Sequence, residues 1–390
     1  MRAFHCAWVS FFLAFTGWFA LAPLMPVVRV SLGLCDNGGW DDFASPRDCE
    51  CRVRCRSAIS NANTVSVAGT IGMRLIVGAW AETYGPRFSQ AFVVMIFSVP
   101  LALAGAAVDG ASFAAVRFFI GGMGATFVIT QFWTSVMFSH NVVGTANATS
   151  AGWGNLGGGF TQVFMPWVLT WFLALGFDLA WRFAVLVPAV LLFLVGVIIY
   201  LISDDVPEGT YQALYASGER AEQSGIRMFL VAASDPRVCL LFVAYGGCFG
   251  TELAMNNVLA AYFFDFFGLS LQAAGLAASL FGLMNLFARS LGGIASDLAN
   301  ARFSHRGRHW VFFCTQLGVG CMLVAFSRFE KDDFAGAIAT LVAFSIMVQM
   351  AEGAQYAIVP YVGAHLDALG PVAGIVGAGG NFGAVMWSLI

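Results

Sequence analysis

The stretch Ala151-Gly-Trp-Gly-Asn-Leu-Gly-Gly-Gly159 lies inside an apolar run, so it is not an ordinary glycine-rich loop. A near copy, Gly377-Ala-Gly-Gly-Asn-Phe-Gly383, follows 226 residues later. Aligned on Asn155 and Asn381, both read small-x-x-Gly-Asn-x-Gly. Two matched cassettes point to a duplicated chain. Gly154 and Gly158 share one helix face, as do Gly379 and Gly383, and small residues four apart let helices approach closely. The asparagines add amide donors.

Composition sets the class. Of 390 residues, 59% are hydrophobic and only 11% are charged, against about 25% charged in soluble domains. Long apolar runs with short polar breaks describe an all-α polytopic membrane protein. The first run has no cleavage pattern before it and is read as a retained helix. A net charge of −3 gives no basis for a nucleic-acid partner. No nucleotide loop, metal-ligand cluster or nucleophile elbow stands in context, so no enzyme, cofactor or metal is expected.

Eleven spans are expected, near 5–27, 62–83, 88–108, 112–138, 143–175, 181–203, 237–262, 272–297, 309–328, 335–361 and 369–390. A duplicated fold would have an even number, and the sequence stops while still apolar, so a twelfth span is expected to be missing. The polar stretch 204–236 is read as a cytoplasmic linker between bundles at 1–203 and 237–390. Arginine placement alone is balanced between the two sides. Discounting the Cys-rich loop favours a cytoplasmic N-terminus. Cys35, Cys49, Cys51 and Cys55 in that loop could form two disulfides on an oxidising side, with zinc binding as the alternative. Cys6, Cys239, Cys248, Cys314 and Cys321 are read as small packed residues.

Of the 19 basic residues, three are left inside spans: Arg74, Arg117 and Arg289. An arginine at a helix centre costs roughly 2.5–3.5 kcal/mol on insertion scales, so retained ones usually mark function. Arg74-x3-Gly78-x3-Glu82 matches Arg289-x3-Gly293-x3-Asp297, 215 residues apart. Together with the Gly-Asn cassettes this defines parallel repeats, and such repeats place a substrate site at mid-membrane between halves. Arg74 and Arg289 lie about 12 Å, and Asn155 and Asn381 about 18 Å, from the inner rim. All four side chains are therefore expected to meet. Two flat guanidiniums offer forked donors to a planar monovalent anion. A buried salt bridge to Glu252 or Glu352, the acids placed within spans, is the competing reading.

At these residues the chain resembles the nitrate/nitrite porter family of the major facilitator superfamily, in particular its high-affinity plant and algal nitrate transporters. The two cassettes are similar to its nitrate signatures, with Gly152, Gly154, Gly157, Gly158, Gly379, Gly380 and Gly383 in them. Arg2-Ala-Phe-His-Cys-Ala-Trp8, Gln131-Phe-Trp133, Tyr356-Ala-Ile-Val-Pro360 and Phe287-Ala-Arg-Ser-Leu-Gly-Gly-Ile-Ala-Ser-Asp297 extend the likeness across nearly the whole chain. The resemblance implies two six-helix bundles, here lacking the last helix, and an arginine clamp made by Arg74 and Arg289. It implies aromatic contacts at Tyr245 and Phe249, and an inward gate at Glu82, Arg87 and Asp297. Arg117-x3-Gly121-x-x-Gly124-Ala125 resembles the span-four motif of the superfamily, so Arg117 is assigned a structural or coupling role.

The expected activity is nitrate transport, with nitrite as a further substrate, by alternating access in the plasma membrane. The resemblance implies proton symport for eukaryotic members, nitrate/nitrite exchange for some bacterial ones, and a small accessory membrane protein for some plant ones. A nitrate sensor with little transport is a rival. A proton carrier must titrate. Glu252 ranks first for that role, ahead of Glu352 and of His5 and His140 at span ends.

Overall fold

The computed structural model describes residues 1–38, 45–138, 143–217, 225–366 and 368–388. His140 lies outside the described residues, as do Glu219, Arg220 and Glu222 of the polar stretch. Helices dominate. In order they are α1 (Arg2–Trp18), α2 (Met25–Ser31), α3 (Arg54–Tyr84), α4 (Pro86–Leu103), α5 (Gly110–Ile120), α6 (Thr126–Met137), α7 (Val143–Ala174), α8 (Ala180–Ala184) and α9 (Leu186–Ile202). Two short helices follow, α10 (Tyr211–Ser217) and α11 (Gly225–Ser234). The remainder are α12 (Pro236–Asp265), α13 (Leu271–Leu283), α14 (Ala288–Phe303), α15 (His305–Phe326), α16 (Phe334–Tyr356), α17 (Val359–His365) and α18 (Leu369–Ser388).

Among the described residues, nine helical stretches are long and apolar enough to cross a membrane. They coincide with nine of the eleven expected spans. The stretch of α1 and α2 and the helix α7 occupy the positions of the other two. Several rods are broken where the sequence dictates. Gly121–Ala125 tightens to a 3₁₀ turn between α5 and α6, and Met284–Leu286 does the same between α13 and α14.

Close helix approach rests on the glycines. A methyl group on Gly157 would sit 2.1 Å from the Phe12 carbonyl oxygen, which seals α7 onto α1. One on Gly379 would meet the Phe242 carbonyl at 2.2 Å, and one on Gly383 would meet that of Gly246 at 2.2 Å, which seals α18 onto α12. The two halves meet along two similar seams. Gly78 and Gly374 of α3 and α18 lie against the Gly370 and Arg74 carbonyls. Gly159 of α7 and Gly275 of α13 lie against Leu283 and the Gln162 carbonyl.

Polar bonds close both faces across these seams. On the face that carries the N-terminus, Thr145 donates to Asp297 at 3.2 Å, and Asp297 also pairs with Arg308 at 2.7 Å. On the opposite face, Arg29 makes a two-pronged bond to Asp265 at 2.9 and 3.0 Å. Arg47 donates there to the carbonyls of Gly268 and Leu269. Burial of basic residues is therefore not confined to the three expected inside spans. Arg29 and Arg308 are also buried, because each has a carboxylate partner that compensates its charge.

The Cys-rich loop holds two disulfides, Cys35–Cys49 and Cys51–Cys55, which answers the question left open between disulfides and zinc. The backbone N–H groups of Arg52, Arg54 and Cys55 hold the Asp36 carboxyl below its usual range. Of the five other cysteines only Cys248 is fully buried. Cys239, Cys314 and Cys321 are exposed on the outer helix surface, so the packed reading fails for them. In an apolar solvent such positions need no protein cover.

Gly383→Val tests the glycine seam. The added branches have no room beside Gly246, and overpacking typically costs about 1–3 kcal/mol. The purified variant is expected to unfold at a lower temperature in detergent, while Gly320→Ala, where a methyl group meets nothing within 4 Å, leaves the midpoint unchanged.

Candidate functional site

Arg74 on α3 and Arg289 on α14 reach the centre of the bundle, and both are fully buried. Phe127, at the start of α6, lies between them. Its ring centroid is 4.9 Å from the Arg74 guanidinium carbon and 5.6 Å from that of Arg289. The two charges are therefore within about 11 Å of each other. Guanidinium over an aromatic face is attractive. The Phe249 ring lies 4.9 Å from Arg74, and Phe127, Tyr245 and Phe249 form a near-parallel stack. Tyr356 closes the cluster edge-on to Phe127 and Tyr245.

The two arginines are compensated differently. Arg74 meets no carboxylate among its hydrogen-bond partners. Its Nε donates to the Gly124 carbonyl at 2.9 Å, and its Nη1 donates to the Gly377 carbonyl at 2.7 Å. Turned to satisfy its amide, Asn381 accepts from Nε at 3.1 Å and Nη1 at 3.2 Å. Nη2 of Arg74 has no partner among the described residues. Carbonyl dipoles and ring faces only partly offset a buried unit charge, so this end of the site stays positive.

Arg289 bonds directly to Glu352 on α16, and Glu252 on α12 lies 3.9 Å from the same nitrogen. Its other terminal nitrogen donates to the Tyr245 hydroxyl at 2.9 Å. Glu252 in turn accepts from Asn285 at 2.8 Å and from Asn155 at 3.3 Å. The amide oxygen of Asn155 and one oxygen of Glu352 lack partners among the described residues. The anion reading and the salt-bridge reading thus divide between the two arginines: Arg289 is ion-paired and Arg74 is not.

The sequence-derived candidates Arg74, Arg289, Asn155, Asn381, Tyr245, Phe249 and Glu252 all converge here. The signature glycines do not form the site; they bring its walls together. Gly152 faces the Asn285 carbonyl, Gly154 the Phe11 ring, Gly158 the Asn256 amide, and Gly380 the Phe249 and Tyr245 rings. Glu82 and Asp297 lie at the N-terminal face of the two seams, Glu82 against Gly370 of α18. Arg87 binds to the first half and to the start of the polar stretch that follows it. Its backbone N–H donates to Asp205 and its guanidinium to the Tyr200 carbonyl. Burial raises the carboxyl pKa of Asp205 there. Arg117 bonds to the Trp18 carbonyl, to Asn63 and, across the halves, to Asn257 at 3.1 Å. His5 is exposed and accepts from Trp8 Nε1. Sequence reasoning missed Phe127. Its only signal was its position just after the glycine-rich break that follows Arg117.

The sequence profile of the Major Facilitator Superfamily matches residues 7–388. "High affinity nitrate transporter 2.5" of Arabidopsis thaliana is 38% identical over 392 residues, covering 100% of this chain and 73% of that protein. This chain is a major facilitator of the high-affinity nitrate transporter family. "Nitrate transporter 2.1" of Chlamydomonas reinhardtii is 36% identical over 100% of this chain and 68% of its own length. "Nitrate/nitrite transporter NrtP" of Picosynechococcus is 26% identical over 99% and 84%. Among solved structures, the proton:xylose symporter XylE superposes with a TM-score of 0.66 at 14% identity, over 99% of this chain and 88% of that one. A bacterial homolog of the lysosomal transporter Spinster gives 0.65 at 14% identity, over 97% and 80%. These structural neighbours establish the fold alone. Like other major facilitators, this family member is a membrane carrier and not an enzyme.

Breaking a buried ion pair by removing one partner typically costs about 3–5 kcal/mol. Glu352→Leu is therefore expected to lower the thermal midpoint of the purified protein strongly. Glu352→Gln keeps an acceptor facing Arg289 and should lower it much less. Equal midpoints for the two variants would contradict the pairing.

Proposed function

We infer that this chain is a secondary transporter that moves nitrate, with nitrite as a further substrate, by alternating access. The observation that carries the reading is a pair of fully buried arginines, one from each half, of which Arg74 has, among the described residues, an unpartnered nitrogen and no acidic hydrogen-bond partner. Nitrate is planar, monovalent and accepts in-plane hydrogen bonds, which suits two guanidinium edges. The names of its relatives agree. Arg74 and Arg289 are the proposed clamp, Asn155 and Asn381 the secondary donors, and Tyr245, Phe249 and Phe127 the aromatic walls.

The chain divides into bundles at 1–203 and 237–390 joined by 204–236. With the N-terminus in the cytoplasm, Glu82, Arg87 and Asp297 form the inner gate, and the disulfide loop sits on the oxidising outer side of the plasma membrane. Moving an anion inward opposes a negative-inside potential by about 2.3 kcal/mol per charge per 100 mV. Accumulation thus needs coupling, and protons are the proposed driving ion, with Glu252 a carboxylate at the clamp able to take one up. A small accessory membrane protein is a further proposed partner.

Uptake of labelled nitrate into vesicles containing the purified chain, under an imposed proton gradient, tests this. Arg74→Lys and Arg289→Lys should each fold yet lose most uptake, because a point charge does not reproduce the planar fork. Wild-type uptake in both variants would sink the clamp. Nitrate binding without accumulation in the parent chain would favour a sensor.

A further inference from the structure

The second arginine of the clamp is already occupied. Glu352 bonds to Arg289 Nη1 and Glu252 lies 3.9 Å from the same atom, so two carboxylates crowd one guanidinium with no solvent to screen them. Both carboxyl groups thus gather at the same guanidinium nitrogen. An incoming anion needs the N–H groups that Glu352 now holds.

Resting on the nitrate reading above, we propose that Glu352 and Glu252 together form a two-proton site that competes with the substrate anion for Arg289. A proton taken up from the outer side settles on a Glu352 oxygen, and its ion pair with Arg289 breaks. An oxygen of the anion accepts the released N–H. After the halves rock, the anion leaves first, the carboxyl gives up its proton to the inner side, and the carboxylate re-forms its bond to Arg289. Glu252, held by Asn155 from the first half and Asn285 from the second, carries the other proton and connects this exchange to both halves.

Charge counting supports two sites. Arg74 and Arg289 with both carboxylates ionised sum to zero. One proton and one anion leave the cluster neutral. Two protons and one anion leave it with one positive charge, which a negative-inside potential draws inward.

The groups that face Glu352 are few. They are Arg289 from α14, Glu252, Tyr245 and Cys248 from α12, Arg74 from α3, and Tyr356 on its own helix. The helix α13 carries no titratable side chain. The mid-span groups of α15, Cys314 and Cys321, are exposed, and Tyr361 of α17 bonds to Arg308. His365, at the end of α17, lies beside His305 and His309 at the N-terminal face. The carboxylate pair is thus the only acidic group at the clamp among the described residues.

The test measures nitrate binding between about pH 5 and pH 8 with the purified full chain. It adds nitrate uptake into vesicles with an imposed potential. By linkage, affinity in the parent chain rises as pH falls, by up to about tenfold per pH unit for each proton taken up. In Glu252→Gln/Glu352→Gln, nitrate binding of whatever strength should be flat with pH, and accumulation should fall at least about tenfold. In Glu252→Gln alone, one proton site remains, so uptake should lose its dependence on potential while keeping its dependence on pH. This single variant decides the matter if the double variant does not fold. Retained pH dependence in the double variant, a folded double variant that binds no nitrate, or potential-driven uptake in Glu252→Gln would each overturn the proposal. A parent chain with no nitrate binding at any pH would instead overturn the nitrate reading on which it rests.

Discussion

The structure depends on how it tolerates two guanidinium charges at its centre. A buried cation needs compensation, and this chain compensates its two arginines in opposite ways. Arg289 has carboxylates and a tyrosine hydroxyl. Arg74 has carbonyl dipoles, an asparagine oxygen and two aromatic faces. The repeat that produced matching arginines did not produce matching surroundings. That asymmetry leaves one nitrogen of Arg74 without a partner among the described residues, while Arg289 is held by an internal carboxylate.

The glycines serve this arrangement indirectly. They let α7 lie on α1 and α18 lie on α12 at backbone contact, and let α3 meet α18 and α7 meet α13 equally closely. Polar bonds at both ends then hold the present closed form: Thr145 with Asp297 on one face, Arg29 with Asp265 on the other. Each is a discrete contact that opening one face would break without disturbing the other.

Much of this was legible in the sequence, because the periodic landmarks have a physical cause. An arginine inside an apolar run must be compensated, so Arg74 and Arg289 stood out, and the matched Gly-Asn cassettes fixed the order of the halves. Partner choice was not legible. Nothing in the spacing told that Glu352 would lie nearer Arg289 than Glu252 does, since this depends on how α12, α14 and α16 rotate about their axes. Phe127 was invisible because an aromatic residue in a membrane helix carries no distinctive signal. Arg29 and Arg308 were assigned to loops by their flanks, and only tertiary contact with Asp265 and Asp297 shows them buried.

The central claim is that one anion is held jointly by the two arginines. An experimental structure of the full chain with nitrate bound tests it most directly. The account predicts nitrate between the guanidiniums, within hydrogen-bond distance of Arg74 Nη2 and of an Arg289 nitrogen that no longer bonds to Glu352. Nitrate bound elsewhere, or at Arg74 with the Arg289–Glu352 pair intact, would contradict it.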